Sequence, residues 1–391
     1  DFSQFRPLAG AIFITGIAMI MVGTLLFVLN VFMTIAYTPK GEEHVPVGPM
    51  LKSALGFTAL GSLLRGKKMK DEDHLIPLPV AAIARGTVDV ALNAVIITFT
   101  GVLILVYMVA ELSGHSLKTT GVDALLYKNW FWWGLDLVAD GTWYLLTSLI
   151  TGKTPFMQNW ARGALAIELV VSWTVWSHHL LADQSQPAFL KVASGELVTA
   201  FELITQGLAF FITLLTLWSA RPLKMTNPLK FLLGGLLGFG LAVPAGIMQA
   251  DVGLNRILHN TQWIVGPHVH VAILVGLTMT LYSAIYVLLP ILTNGAELWS
   301  QKLANLHFWA HLLGGIGMGA FMGMAGLQGM LRRTLYWNGE FQPYMVLAAL
   351  SGSLLLIAFF AFLFNIVMTM GLNGAIGVFK KSSLDKDVLV P

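Results

Sequence analysis

Seven of the ten histidines, His178, His179, His259, His268, His270, His307 and His311, lie in or beside long apolar stretches. An ionisable group inside a bilayer is expensive, so each is a candidate for chemistry. His268 and His270 stand two apart. A regular helix turns about 100° per residue, so their imidazoles point about 200° apart and can serve two different centres. Imidazole is a common axial ligand of haem iron; the plainer alternative is a pair of histidines held by backbone or neighbouring side chains. His178 and His179 are adjacent where an apolar stretch ends, with Asp183 and Pro187 close behind. Both reach one metal only if the helix ends or distorts there; otherwise they are interfacial histidines at a wet terminus.

The carboxylates make a second group. Asp136 and Asp140 follow Trp132-Trp133 and share one helix face at a spacing of four. Inside a membrane such a pair asks for a cation between or opposite the two groups, unless it is solvated or paired with arginine. Glu202 falls about two turns into an apolar stretch, as a proton relay or a protonated hydrogen-bonding group. Glu168 reads as a structural residue, and Arg85 with Asp89 as an intrahelical ion pair.

The elements that must position these residues are membrane helices. Apolar residues make up 56% of the 391 and charged residues only 11%, against roughly 25% charged in soluble domains. That excludes a disordered chain, a soluble nucleic-acid binder and an ordinary cytosolic enzyme. Nine apolar stretches are long enough to span, at roughly 8–37, 82–111, 129–151, 160–181, 195–219, 229–250, 262–293, 303–330 and 344–372. The fold expected is all-α, a polytopic transmembrane helix bundle in one integral membrane domain, 1–391. The polar segment 38–81 reads as a surface loop with a short interfacial helix at 49–65.

Alternating nine spans with the N-terminus outside puts 16 Lys/Arg on the inner side and 7 on the outer, the sense that the positive-inside rule favours. The polar ends with His178–His179, Arg256–His259 and Arg332–Arg333 then share the outer side. The first and last spans both end Asn-x-x-Met-Thr, from Asn30 and from Asn365, a short match read as coincidence rather than duplication. There is no cysteine, which excludes thiolate metal sites, a Cys-ligated binuclear copper centre and covalent haem attachment in this chain.

From about 129 to 372 the order of motifs resembles the catalytic subunit of the haem-copper oxidase superfamily. A Trp-rich helix with one metal ligand (Trp132-Trp133…Asp136) leads to a His pair (Trp176-Ser177-His178-His179). A two-helix spacer, then Asn260-Thr261-Gln262 and His268-Val269-His270, and a helix running from His307-Phe308-Trp309 to Arg332-Arg333 complete it. The Trp-Trp-x-x-ligand-x-x-x-carboxylate-Gly pattern and Glu202 look closest to the nitric oxide reductase branch.

The resemblance implies roles. His268 would ligate a high-spin haem and His270 a low-spin haem. Arg332, Arg333 and His259 would hold haem propionates. His178, His179 and Asp136 would hold the non-haem metal, with Asp140 a fourth ligand, and Glu202 and Asp140 would relay protons. Residues 129–372 would be the catalytic helices, 1–128 two early spans with the loop, and 373–391 a cytoplasmic tail of a cell inner-membrane protein.

Three departures shape the function expected. Asp136 stands where the family usually has histidine, and a carboxylate favours iron over copper at that site. Oxygen-reducing members carry a tyrosine cross-linked to a metal-ligand histidine, in the commonest type where Asp140 stands here. The early spans have no histidine for the low-spin haem, and nine spans fall short of the family's twelve, so about three N-terminal helices are expected in a separate membrane chain or missing from this sequence, the alternative being a protein that keeps only the high-spin haem. The expectation is a nitric oxide reductase subunit that turns two nitric oxide molecules into nitrous oxide and water. Its electrons would come from an outer cytochrome c, a copper subunit or quinol, and no nucleic acid is involved. The alternatives are a terminal oxygen reductase, a nitric oxide dismutase and, outside enzymes, a transporter.

Overall fold

The computed structural model describes residues 15–30 except 17 and 28, 47–70, 73–114, 140–172, 174, 181, 187–293, 295–333 and 339–377. In chain order the helices are α1 (Ala18–Phe27), α2 (Val47–Ala54), α3 (Phe57–Leu64), α4 (Leu78–Leu112), α5 (Asp140–Thr151) and α6 (Gln158–Ser172). Then come α7 (Ala188–Ser219), α8 (Asn227–Ala250), α9 (Val252–Leu258), α10 (Ile264–Leu292), α11 (Gln301–Leu327) and α12 (Gln342–Gly377). Among the described residues five helices are long and apolar enough to cross a membrane: α7, α8, α10, α11 and the Gly339–Gly371 stretch. They fall on the five expected spans from 195 to 372. Helices α2 and α3 fill the place of the expected interfacial helix at 49–65.

The chain forms two compact units, Asp1–Pro222 with Ala250–Val252, and Leu223–Gln249 with Gly253–Pro391. In the first, four helices close a ring in which α4 packs on α5, α5 on α7, α7 on α6 and α6 on α4. Side chains tie four helix ends together. His74 Nε2 lies 2.7 Å from Asn159 Oδ1, and Asn159 Nδ2 donates to the Met69 carbonyl at 2.6 Å. Phe156 N donates to Thr216 Oγ1 at 2.8 Å, and Lys153 Nζ to the Ser219 carbonyl at 2.8 Å. The starts of α4 and α6 and the ends of α5 and α7 are thus together, as an alternating path requires. Helix α3 docks on α6 at Gly56 (φ +80°), where a Cβ would collide with the Arg162 carbonyl.

The second unit is held by small residues and rings. Gly315, Gly319, Gly323 and Gly326 form a stripe on α11 at the spacing that lets membrane helices approach closely. Any Cβ there would run into Val275, Val271, Pro267 or the Trp263 backbone of α10 and its lead-in. One apolar core gathers Phe231, Val271, Val275, Met279, Tyr286, Phe308 and Leu312. His307 is fully buried in it, with ring centroids 4.6 Å from Phe231 and 4.3 Å from Tyr282. Its Nδ1 meets Tyr286 Oη at 3.1 Å, and His311 Nε2 donates to the Leu274 carbonyl at 2.6 Å. These two histidines are packed and bonded in the core. Asn365 accepts from Ser300 N and donates to the Ser300 carbonyl, both at 2.9 Å, and Thr369 Oγ1 accepts from Trp299 N at 3.0 Å. The end of α12 therefore clamps the start of α11.

Candidate functional site

The His-x-His segment lies in a π-helix, Ile264–Leu277, and not in the regular helix assumed above for the 200° divergence. Pro267 sits inside it and has no N–H to complete an α-helical ladder. The π pattern bonds five residues apart and recurs at functional sites. His270 uses that geometry: its Nδ1 lies 2.6 Å from the Val265 carbonyl, five residues back. His268 Nδ1 lies 3.1 Å from the Ala242 carbonyl of α8. A carbonyl only accepts, so each Nδ1 carries a hydrogen and donates it. Two rings of the same helix thus have their orientation fixed by a backbone partner.

Gly246 makes room for the first of these rings. A Cβ on it would sit 2.5 Å from His268 Cε1 and 2.7 Å from Nδ1. Sequence reasoning passed over Gly246 and Ala242. The Pro244-Ala245-Gly246 interruption of an apolar span was the available signal.

A short antiparallel ribbon sets the basic residues beside this helix. Gln262 N donates to the Met330 carbonyl and Arg332 N to the Asn260 carbonyl, each at 2.9 Å, around the Thr261–Leu331 bridge. Arg332 also reaches Asn260 Oδ1 at 3.4 Å. Gly329 (φ 93°) and Arg333 (φ 61°) turn the chain through left-handed conformations. His259 directly precedes the ribbon, and its N–H bonds the Asn255 carbonyl at 2.9 Å. His259, His268, His270, Arg332 and Arg333 are thereby collected at one end of the second unit. Buried polar atoms cluster in sequence around it: both side-chain polar atoms of Gln249, Gln262 Oε1 and Trp263 Nε1 have no hydrogen-bond partner among the described residues.

Glu202 lies in α7 of the first unit and is 7% exposed. One turn on, Thr205 Oγ1 bonds the Glu202 carbonyl at 3.0 Å. Asp140 opens α5, and only its backbone is described. Asp136, His178 and His179 lie outside the described residues, so the expected non-haem metal site is not drawn. Among the described residues no group of three His, Asp or Glu side chains is placed to hold a metal ion. Arg85 and Asp89, expected as an ion pair, are 3.9 Å apart, and both are buried. Glu168 and Arg162 are buried as well, at 0% and 1% exposure.

The family profile described as Cytochrome C and Quinol oxidase polypeptide I matches residues 2–354. Cytochrome c oxidase polypeptide 1 of Halobacterium salinarum is 25% identical over 63% of this chain and 42% of its own length. Cytochrome c oxidase subunit 1 of Synechocystis sp. is 25% identical over 81% of this chain and 58% of its own. A cytochrome c oxidase subunit 1 homolog of Agrobacterium tumefaciens is 31% identical over 40% of this chain and 31% of its own. The chain spans about half the length of the first two relatives. A heme-copper terminal oxidase dimer solved by cryo-EM superposes with a TM-score of 0.64 at 20% identity, over 80% of this chain and 62% of that one, a likeness of fold.

Proposed function

Since the chain belongs to the Cytochrome C and Quinol oxidase polypeptide I family, we propose that it is the haem-bearing catalytic subunit of a multi-pass membrane reductase in respiratory electron transport, and that it reduces dioxygen. The names of its relatives support dioxygen over the nitric oxide expected from the motifs. The observation that carries the haem reading is the pair of imidazoles in the π-helix, each anchored to a backbone carbonyl through Nδ1, so that Nε2 would be the ligating atom.

The residues suit the group. Gly246 leaves the space that the His268 ring occupies, and Arg332 and Arg333 stand on a ribbon beside the same helix, where guanidinium groups pair with carboxylates. His268 would hold the high-spin haem and His270 the low-spin one. His178, His179 and Asp136 would hold the second metal, with Asp140 as a further ligand. Haem iron and that metal, when bound, supply electrons and Lewis acidity to a small diatomic substrate.

The chain's own residues do the rest. Ala242 and Val265 fix the tautomers. Arg332, Arg333 and His259 hold anionic side chains at one end of the helix. Glu202 is a buried carboxyl that holds and passes a proton consumed in the reaction. Electrons would come from a cytochrome c, a copper subunit or quinol, and other membrane subunits would complete the assembly.

A second reading, nitric oxide reduction, is favoured by two residues. Asp136 stands where the family usually has histidine, and Asp140 where oxygen-reducing members commonly carry their cross-linked tyrosine. A carboxylate ligand suits iron better than copper, and joining two nitric oxide molecules needs only two external electrons. Gas electrodes on the purified complex, supplied with reductant, separate the readings. Sustained oxygen consumption supports the first and nitrous oxide formation the second. Oxygen release from nitric oxide would mark a dismutase, and no turnover of either gas by a haem-loaded complex would overturn both.

A further inference from the structure

The segment expected as an interfacial helix has no part in the reaction, and it holds a built cleft. Helices α2 and α3 lie against α4 and α6 of the first unit. They are seated closely: Gly56 meets the Arg162 carbonyl, and a Cβ on Gly163 would lie 2.8 Å from Leu63 Cδ1. The stretch after α3 is fastened to the start of α6 by the Asn159 side chain, which bonds the Met69 carbonyl and His74. Between α2, the start of α3 and this stretch opens a cleft of about 530 Å³, whose walls include Lys52, Ser53, Thr58, Asp73 and Leu75. That is a size that suits a small ligand.

The walls carry both charges. Lys52 and Asp73 are exposed, and the Asp73 carboxylate is held by the Lys70 N–H at 2.7 Å. A carboxylate has about four acceptor sites, so Asp73 keeps capacity for a further donor. Ser53 is 3% exposed, and its Oγ has no hydrogen-bond partner among the described residues. A buried hydroxyl in that state gains from a partner. The sequence shows the same division. Residues 47–70 hold five basic side chains, Lys52, Arg65, Lys67, Lys68 and Lys70, and no acidic one, and Asp71-Glu72-Asp73 follow directly. Apolar groups complete the set: Leu51, beside Lys52, and Leu75, on the cleft wall, are 44% and 53% exposed. A pure anion would be opposed by Asp73 and a pure cation by Lys52. A ligand with a phosphate, an ammonium and a hydrocarbon tail meets all three kinds of wall.

We infer that this cleft seats the headgroup of a phosphatidylethanolamine, with the phosphate at Lys52, Ser53 and Thr58, the ammonium at Asp73 and the acyl chains beside Leu51 and Leu75. Short helices with one packed and one basic, apolar face lie at the depth of lipid headgroups, which is where such a ligand is met. Binding is non-covalent, through charge-assisted hydrogen bonds. Phosphatidylcholine offers the same charges, but its trimethylammonium has no N–H for Asp73. Phosphatidylglycerol has no cation. The inference goes beyond the reductase reading and does not depend on it.

The test uses the purified complex, stripped of lipid in detergent and irradiated with a phosphatidylethanolamine that carries a diazirine on its acyl chain. Labelled peptides are then mapped. An adduct within residues 47–75 is expected, competed by unlabelled phosphatidylethanolamine and not by phosphatidylcholine or phosphatidylglycerol at the same concentration. Lys52→Met and Asp73→Asn should each weaken labelling at least about tenfold, as the loss of one hydrogen bond to a charged group implies. Haem content should be unchanged, and Asp73→Glu should restore labelling. Asparagine keeps an acceptor for the Lys70 N–H, so this variant retains the loop.

No adduct in this segment, equal competition by either other lipid, or wild-type labelling in both charge variants would overturn the inference. Equal competition by soluble O-phosphoethanolamine would overturn the lipid as the source of the headgroup. The label is read and not the gas, so a complex that turns over neither gas fails the reductase reading alone and still judges the cleft.

Discussion

His268 depends on a hydrogen atom at Gly246. Adding one methyl group there places a carbon 2.5 Å from the imidazole, and forcing an extra carbon into a packed site costs about 1–3 kcal/mol. Gly246→Ala should shift the high-spin haem spectrum, or lower occupancy of that haem, with the low-spin signal retained; an unaltered spectrum would disconnect Gly246 from the ligand. Glu202 gives a second residue-scale prediction. Replacing a proton-transfer group typically costs about 10²–10⁴ in rate. Glu202→Ala should therefore lose at least about a hundredfold in gas turnover with both haem spectra intact, and undiminished turnover would count against the relay. At this scale the sequence was most readable: His-x-His and Glu202 were singled out by type and spacing, and the Arg pair by the family resemblance. Gly246 was not, because the meaning of a missing side chain depends on what packs over it.

The π-helix and its glycine-lined partner carry the site at the scale of elements. Spacing alone expected a regular helix for 262–293, and the helix is there, but its first half bonds five residues apart around Pro267. Hydrophobic periodicity marks where a span runs, not which carbonyl each N–H chooses. The close seat of α10 on α11 rests on Gly319 and Gly323. Gly323→Leu should drive the helices apart, lower the unfolding temperature in detergent and release haem at a lower temperature, whereas wild-type melting would deny the stripe its role.

The Asn365 clamp is a milder case. Its side chain makes two bonds to the Ser300 backbone, each worth about 1 kcal/mol net. Asn365→Ala should cost about 1–3 kcal/mol in detergent unfolding without altering haem content. The Asn-x-x-Met-Thr repeat that looked like coincidence therefore has, at its second copy, a local structural function for Asn365 and Thr369.

At the scale of the molecule the class was legible from composition: few charges and long apolar runs foretold a helical membrane protein, and five such spans stand among the described residues. Within each unit the hydrogen-bonded helix ends agree with an alternating path. What sequence could not separate was substrate. The chain is similar to proteins named cytochrome c oxidases, while the motif resemblance sets Asp136 and Asp140 against histidine and tyrosine, and one residue type can outweigh a family likeness. Metal analysis speaks to that choice: Asp136 in the proposed ligand role predicts non-haem iron in excess of haem iron, and one copper per complex would favour the oxidase form of the site.

Beneath either substrate lies the claim that His268 and His270 hold haem. Quantifying haem in the complex purified from wild type, His268→Ala and His270→Ala, by the spectrum of its alkaline pyridine extract, tests this directly. The account predicts a haem-bearing wild type and loss of one haem, high-spin or low-spin respectively, in each variant; a colourless wild type, or variants with undiminished haem, would contradict it.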